Sequence, residues 1–71
     1  MSQSVMRIKE LRVATGMRQI DLCAKLGVSQ SMISDWENET YLPKARDLPL
    51  LAHVLGVRID ELYSPEALLI S

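Results

Sequence analysis

Residues 19–38 read QIDLCAKLGVSQSMISDWEN, and this stretch decides the fold of the chain. Its pattern predicts two short amphipathic helices hinged at Gly27. Leu22, Cys23 and Leu26 fall on one face of the first helix, where the small Cys23 lets a crossing helix come close. Gly27 can adopt the left-handed conformation that ends a helix without a Cβ penalty. We therefore expect the first helix to end at Gly27 and a second helix to follow at once.

The second helix should begin near Gln30. Ser29 suits its N-cap, because a serine hydroxyl can accept hydrogen bonds from the orphan backbone amides of the first turn. At about 100° per residue, Ile33 and Trp36 share the side that must pack inward. Short polar side chains cluster on the opposite side: Gln30, Ser31, Ser34 and Asp35. Two helices joined by a glycine turn of this length form a helix-turn-helix, whose second helix can enter the DNA major groove.

The polar face carries groups that can read base edges. Glutamine can pair bidentately with adenine, serine can hydrogen-bond several edges, and aspartate can accept from the cytosine amino group. An ordinary solvated helix face is also polar, so these four side chains do not by themselves separate a DNA-reading face from a merely exposed one.

Three blocks of the chain together resemble the Cro/lambda-repressor-like, or XRE-like, group of helix-turn-helix proteins. The blocks are RIKELR at residues 7–12, the segment 19–38, and LAHVLGVRIDEL at residues 51–62. The resemblance runs from about residue 6 to residue 62. It implies an all-α, compact five-helix domain, usually dimeric on double-stranded DNA, that represses or otherwise regulates transcription.

The resemblance also implies roles for individual residues. The positions that match base-reading residues are Gln30, Ser31 and Asp35, with Ser34 beside them. The positions that match phosphate-gripping residues are Gln19, Ser29 and Asn38. Gln19 and Ser29 stand at helix amino ends, where free amides and the helix dipole favour an anion. A structural role is open beside this one, since Ser29 is a cap with or without DNA and Asn38 can simply end a helix.

The charges near the motif depart from the usual pattern of a DNA binder. Residues 29–37 contain no lysine or arginine, whereas Asp35 and Glu37 bring negative charge toward a polyanion. Binding strength must then come from flanking cations. The candidates for phosphate neutralisation are Arg18, Lys44 and Arg46, with Lys25 a weaker one. Lysine and arginine on a protein surface are ordinary solubility residues, and any one of these taken alone is more often that than a phosphate contact.

Two substitutions within the family pattern affect the backbone. Glu39 stands where the family usually has glycine, so the chain must either bend at Asn38 or strain a non-glycine residue. Arg18 replaces the usual threonine cap, which should cost about 1 kcal/mol of helix stability. A cation at a helix amino end opposes the dipole, and we therefore expect Arg18 to face a phosphate instead of closing the helix.

The resemblance further implies an ion pair between Arg12 and Glu37. Glu37 adjoins the buried Trp36, and in this family the matching glutamate pairs with an arginine on the first helix. An arginine fork can satisfy a carboxylate bidentately under partial burial. The alternative is that both side chains are solvated.

A length of 71 residues predicts one domain over residues 1–71. With the motif and the resemblance, this is expected to be a helix-turn-helix domain whose core lies at about 5–63. Hydrophobic residues make up 48% of the chain without any phenylalanine, so the interior must be built of leucine, isoleucine, valine and methionine. The net charge is −1, which argues against nucleic acid unless the charges are segregated. The acidic residues beyond the motif are Asp47, Asp60, Glu61 and Glu66. We expect a charge-polarised molecule whose DNA affinity depends steeply on salt.

Other classes of function find little support in the sequence. One cysteine and one histidine exclude an internal disulfide and a zinc cluster, and they fit a reducing cytoplasm. Cys23 is expected to be a small buried residue and His53 a surface residue. No leader or membrane span, catalytic triad, cofactor site or phosphate-cradling glycine loop is recognised. We expect neither an enzyme nor a small-molecule binder.

The remaining helices are predicted from periodicity and from turn residues. Helix one should span residues 5–14, with Ile8 and Leu11 inward and Gly16 closing it. Helix four should begin close to Asp47, with Pro49 in its first turn and Gly56 at its end. Its buried stripe should be Leu48, Leu51, Ala52 and Leu55. A short fifth helix is expected at residues 59–63.

The tail SPEALLIS, residues 64–71, has an apolar cluster too large to leave comfortably in water. It either contributes to a homodimer near helix five or folds back on its own core, and the sequence leaves both open.

Two functions remain. The first is a sequence-specific transcriptional regulator, a repressor of phage or mobile-element type, whose dimer reads a pseudo-palindrome with two recognition helices about one DNA turn apart. The second is a protein-interaction module of the same fold, antitoxin-like or an assembly partner, with weak or no DNA binding.

Overall fold

Four α-helices and two 3₁₀ helices follow one another along residues 5–65, the part of the chain that the computed structural model describes. The α-helices are α1 at Ile8–Ala14, α2 at Gln19–Leu26, α3 at Gln30–Glu37 and α4 at Leu48–Leu55. The 3₁₀ helices are Ala45–Asp47 and Ile59–Leu62. The predicted all-α class is confirmed, and the only sheet-like pairing within residues 5–65 is an isolated bridge between Met6 and Tyr63.

The core is aliphatic apart from one tryptophan. Leu22, Ile33 and Leu51 are completely buried, and they bring α2, α3 and α4 together. The other buried hydrophobic side chains are Met6, Ile8, Leu11, Trp36, Ala52, Leu55 and Leu62. Cys23 and Leu26 pack against this core while half-buried. The expected inward faces of α1 and α3 are therefore confirmed.

The turn between α2 and α3 forms as the sequence predicts. Gly27 has a φ of 70°, in the left-handed region that favours glycine, and its N–H donates to the carbonyl of Cys23 at 2.9 Å. The hydroxyl of Ser29 accepts from the N–H of Met32 at 3.2 Å and caps α3. This short connection fixes the crossing of α2 and α3.

Two helix boundaries differ from the prediction. Helix one begins at Ile8 and not at residue 5, because residues 5–7 pair with residues 62–64: Met6 forms the bridge with Tyr63, the Arg7 N–H donates to the Leu62 carbonyl at 2.7 Å, and the Ser64 N–H donates to the Val5 carbonyl at 2.8 Å. The expected fifth helix at 59–63 is a 3₁₀ helix that ends at Leu62. Tyr63 is extended in order to join this pairing, which leaves too few residues for an α-helix. The five-helix description is thus four α-helices and a 3₁₀ turn in its fifth position.

Helix α4 begins one residue after Asp47, with Pro49 in its first turn, where a missing N–H costs nothing. Gly56 ends it at a φ of 73°. Leu51, Ala52 and Leu55 are buried as predicted, whereas Leu48 is half-buried and His53 is exposed. The alternatives drawn for the tail concern residues 66–71, which lie outside the described residues.

Candidate nucleic-acid interface

One side of α3 is left uncovered by the rest of the described chain. Gln30 and Ser31 are exposed, and Ser34 and Asp35 are half-exposed. On the opposite side Ile33 is fully buried and Trp36 is 4% exposed. The helix therefore has the two-sided character that the sequence predicts, with its apolar side anchored and its polar side open to solvent.

The predicted ion pair between Arg12 and Glu37 forms behind α3. The Arg12 guanidinium donates through Nε and Nη2 to the two Glu37 carboxylate oxygens, at 2.5 and 3.1 Å. The side chains are only 11% and 2% exposed, and Arg12 Nη1 also donates to the Met17 carbonyl at 2.8 Å. This bidentate pair ties the carboxyl end of α3 to α1 and to the turn before α2.

The Glu37 carboxylate stays ionised because of its hydrogen bonds. Burial alone would raise the pKa of Glu37. The hydrogen bonds from Arg12 and Gln19, together with the nearby positive charge, outweigh burial and hold this pKa below its ordinary value of 4.5. At neutral pH the negative charge of Glu37 is thus compensated inside the protein and does not face the open side of α3.

A hydrogen-bonded chain runs from this pair to the open side of α3. Gln19 Nε2 donates to Glu37 Oε1 at 3.0 Å, and Gln19 Oε1 accepts from Gln30 Nε2 at 3.4 Å. Because a carboxylate can only accept, the Gln19 amide must turn its nitrogen toward Glu37 and its oxygen toward Gln30. Gln30 is left with its Oε1 and one N–H unused within residues 5–65. Sequence reasoning missed this series of hydrogen bonds, because the residues that form it lie on three helices.

The side chains at the predicted phosphate positions have partners within the protein. Gln19 is held by Glu37 and Gln30, as described above, and Asn38 Nδ2 donates to Ser34 Oγ at 3.3 Å. The Ser29 hydroxyl caps α3 and also lies 3.4 Å from the Ser31 hydroxyl. These contacts fit the structural alternative for each residue, and they leave a phosphate role for Gln19, Ser29 and Asn38 as a proposal.

The flanking cations differ in how free they are. Arg18 is the N-cap residue of α2, but its side chain makes no cap hydrogen bond. Its backbone N–H donates to the Asp21 carboxylate at 2.9 Å, and its guanidinium donates to both Asp21 oxygens at 3.1 Å. The expectation that Arg18 faces a phosphate stays a prediction. The hydrogen bond from Arg18 lowers the pKa of Asp21. Lys44 and Arg46 are exposed, and their charged groups have no protein partner within residues 5–65.

Glu39 resolves the question about the turn after α3. Its φ is 60°, so the chain strains a non-glycine residue, whereas Asn38 keeps a right-handed helical conformation. The Glu39 carboxylate accepts from the Val5 N–H at 3.0 and 3.1 Å and lies 3.5 Å from the Met6 nitrogen. The side chain therefore ties residues 5 and 6 to the end of α3. No local pattern in the sequence indicates this contact between residues 34 positions apart.

A cleft of about 340 Å³ lies between α3 and the segment that follows it. Met32 and Trp36 line it from α3, and Tyr41 and Leu42 line it from the loop that follows. Met32, Tyr41 and Leu42 are 42%, 68% and 48% exposed. The apolar Tyr-Leu-Pro run in a solvated loop was the available sequence signal for this feature.

Among residues 5–65, no three or more histidine, cysteine or acidic side chains form a group that could hold a metal ion. No helix in that range combines the length and the hydrophobicity that a bilayer span requires. Cys23 is half-buried, and its thiol donates to the carbonyl of Ile20 at 3.2 Å. This contact supports a packing role for the thiol.

Known proteins resemble this chain over most of its length. A family profile described as helix-turn-helix matches residues 8–62. The chain is 30% identical over 63 residues to an immunity repressor protein of Bacillus phage phi105, 33% identical over 63 residues to the HTH-type transcriptional activator BcrR of Enterococcus faecalis, and 37% identical over 57 residues to an uncharacterized HTH-type transcriptional regulator of Archaeoglobus fulgidus. These matches cover 89%, 89% and 80% of this chain, and 44%, 31% and 81% of the respective relatives. The chain thus spans less than half the length of the first two.

Proposed function

This chain belongs to the XRE-type helix-turn-helix family of DNA-binding transcriptional regulators, which is not a family of enzymes, and on that premise we propose that it represses transcription by occupying an operator. Its α3 enters the major groove, and two copies bind as a homodimer to a pseudo-palindrome with half-sites about one helical turn apart. The likeness to a phage immunity repressor supports repression over activation of transcription. Repression also needs fewer contacts than activation, because a small domain bound to an operator can exclude polymerase without touching any other protein.

The open polar side of α3 is the single observation that carries this proposal. A helix that reads the major groove must present side chains that neither its own core nor its neighbours cover. Gln30 and Ser31 meet this condition, and Ser34 and Asp35 lie beside them. The buried Ile33 and Trp36 hold the helix from behind, so that it can be presented as a rigid ridge.

Gln30 is proposed to read adenine. An adenine edge in the major groove offers the N7 acceptor and the N6 amino donor. Gln30 has one N–H and its Oε1 available after it donates to Gln19, and these match the adenine pair. The hydrogen bonds that run from Arg12 through Glu37 and Gln19 determine which amide atom Gln30 must turn toward Gln19. The Gln30 amide is therefore preorganised for this contact before DNA binds.

Phosphate contacts are proposed to supply most of the affinity. Ser29 and Gln19 lie at the amino ends of α3 and α2, where an anion is favoured, and Asn38 lies at the other end of α3. The charged groups of Lys44 and Arg46 have no protein partner within residues 5–65, and Arg18 is proposed to exchange Asp21 for a phosphate. Such contacts position the protein without choosing a sequence, and they make affinity fall with salt.

The test begins with selection of bound duplexes from a random DNA library, followed by anisotropy titrations of the selected duplex at two salt concentrations. We expect specific binding that weakens at the higher salt. Gln30→Ala should relax discrimination at one base position, with a loss of roughly 1–3 kcal/mol there. Lys44→Ala should weaken all sequences alike and reduce the salt slope by about one. Selection that enriches no sequence would overturn the proposal, and exchanged behaviour of the two variants would overturn the residue roles.

Whether the protein represses or activates transcription needs a separate measurement, because one relative is called an activator. A reporter behind a promoter that overlaps the selected site should lose expression when the chain is present. A rise in expression from the same promoter would contradict repression while leaving DNA binding intact.

A second function is favoured by one specific observation. α3 carries no cation, and Met32, Tyr41 and Leu42 expose apolar surface beside it. A module that binds another protein through this side would show these features. It would enrich no DNA sequence in the selection above, which separates it from the first proposal.

A further inference from the structure

The side chains that line the cleft beside α3 change in chemical character in a regular order along the helix. Ser29, Met32 and Asp35 lie on one wall, three residues apart in the sequence. With a rise of about 1.5 Å per residue, a hydroxyl, an apolar thioether and a carboxylate follow one another at steps of roughly 4.5 Å along α3. Tyr41, Leu42 and Lys44 form the facing wall.

The loop wall is held in place by α3 itself. The carbonyl oxygen of Asp35 accepts from the N–H groups of Thr40 and Tyr41, at 2.9 and 3.4 Å. Farther along, the Lys44 N–H donates to the Asp47 carboxylate at 3.0 Å. The cleft is therefore a formed feature of the fold, and Asp47, which also lines it, already has a donor.

The Asp35 carboxylate has no hydrogen-bond donor or ion-pair partner within residues 5–65, although it is half-exposed at the edge of an apolar cleft. It can only accept, so a ligand that meets it must bring a donor. Cytosine presents only its N4 amino donor in the major groove, guanine presents two acceptors and thymine an O4 acceptor. Adenine presents its N6 amino donor beside the N7 acceptor, whose lone pair repels a carboxylate. Against a DNA ligand, the carboxylate therefore favours cytosine.

A deoxycytidine nucleotide carries its groups in the same order as the cleft. Its amino group is followed by carbon 5 and then by the phosphate of its own strand. Asp35 would meet the amino group, Met32 would lie against carbon 5, and Ser29 with Lys44 would lie toward the phosphate. The Tyr41 and Leu42 side chains supply the apolar surface opposite Met32.

We propose that this cleft receives the edge of a deoxycytidine nucleotide and reads its 5-position, so that 5-methylcytosine binds more tightly than cytosine. The inference rests on the proposed function, because it requires α3 to lie in the major groove. It adds to that function a sensitivity to the methylation of the operator. A methyl group on carbon 5 would be removed from water between Met32 and the loop, and it would leave the amino contact with Asp35 unchanged.

The test uses the duplex selected from the random library. At each position where the selected base is cytosine, 5-methylcytosine or thymine replaces it, and binding is measured by anisotropy. One position should bind 5-methylcytosine about fourfold more tightly than cytosine, which corresponds to the roughly 0.8 kcal/mol of one buried methyl-sized group. Thymine at that position should bind at least about tenfold more weakly than cytosine.

Matched variants separate the two halves of the recognition. Met32→Ala should abolish the methyl preference and retain the choice of cytosine over thymine. Asp35→Asn should lose that choice and retain the methyl preference. Leu50→Ala removes an equally exposed apolar side chain, on α4 and outside the cleft, and should change neither. Circular dichroism of each variant checks that it is folded.

Three outcomes overturn the inference in distinguishable ways. If a specific duplex is selected but 5-methylcytosine binds no more tightly than cytosine at any position, the reading of the 5-position is wrong and the proposed function stands. If the selection enriches no duplex, the proposed function falls and the inference falls with it. A methyl preference that survives Met32→Ala and Tyr41→Ala would place the methyl group elsewhere and also refute the assignment to this cleft.

Discussion

Replacing Glu39 by glycine tests whether the side chain or the backbone decides the stability of the turn after α3. The φ of 60° at this position costs a non-glycine residue roughly 1–2 kcal/mol, and glycine would remove that cost. Glycine also gains freedom in the unfolded chain, which destabilises the protein by roughly 0.5–1 kcal/mol. The two backbone effects together favour the glycine variant by about 0.5–1 kcal/mol.

The side chain acts in the opposite direction. Its carboxylate accepts from the Val5 N–H at 3.0 and 3.1 Å, and a hydrogen bond to a charged group contributes about 1.5–3 kcal/mol. The lower end of that range applies, because Val5 is 38% exposed and water can replace the lost acceptor. We therefore expect Glu39→Gly to be less stable than the parent by about 1 kcal/mol, which lowers the Tm by roughly 4–8 °C.

The assay is thermal and urea unfolding at a single protein concentration, followed by circular dichroism and by the fluorescence of Trp36. Glu39→Ala is the matched control, because it loses the carboxylate and keeps the strained backbone. It should be less stable than the glycine variant by about a further 0.5–1 kcal/mol. A glycine variant that melts above the parent would refute the reasoning, since the carboxylate would then contribute less than the strain costs.

Three further predictions concern the network behind α3. Arg12→Ala should lower the free energy of unfolding by about 3–5 kcal/mol, because it leaves a nearly buried carboxylate uncompensated; urea unfolding measures this, and a loss below about 1 kcal/mol would indicate a solvated pair. The pKa of Glu37 is lowered in the folded state, so its contribution to stability is fully present above pH 4.5 and is lost as the pH falls through the folded pKa. Melting curves between pH 7 and 3 should show a smaller acid loss for Glu37→Gln, and an unchanged loss would contradict the assignment. Gln19→Ala should weaken base discrimination at the Gln30 position while leaving the other positions alone, as measured on singly substituted duplexes.

Local periodicity and turn chemistry made much of this fold predictable. The bounds of α2 and α3 follow from Gly27, from Ser29 and from the apolar spacing of Ile33 and Trp36, all of which act within a few residues of the chain. The burial of Leu51 on α4 follows in the same way. Each of these features depends on residues close together in the sequence, so a single sequence is enough to predict it.

Features that join distant residues were beyond the sequence. The contact between Glu39 and Val5, the pairing of residues 5–7 with 62–64, and the hydrogen bond from Gln30 to Gln19 depend on how the helices meet. The pairing of these two segments shortened α1 and turned the expected fifth helix into a 3₁₀ helix, because backbone pairing outweighed helix propensity there. The Arg12–Glu37 pair was found through the resemblance to a family, which carries information about contacts that periodicity does not.

The network behind α3 makes stability and base reading partly inseparable. Glu37 accepts from Arg12 on the core side and from Gln19 on the side that leads to Gln30. A substitution at Glu37 should therefore affect both the free energy of unfolding and the choice of base, whereas Gln30→Ala should affect only the choice of base. Glu37→Gln keeps one acceptor oxygen and adds an amide donor that can point at Arg12 or at Gln19. If it points at Gln19, the Gln19 amide must reverse and offer a nitrogen to Gln30, which would then present a donor pair in place of the adenine-matching pair. A variant with reduced stability and unaltered base preference would show that Gln30 is oriented by DNA and not by this network.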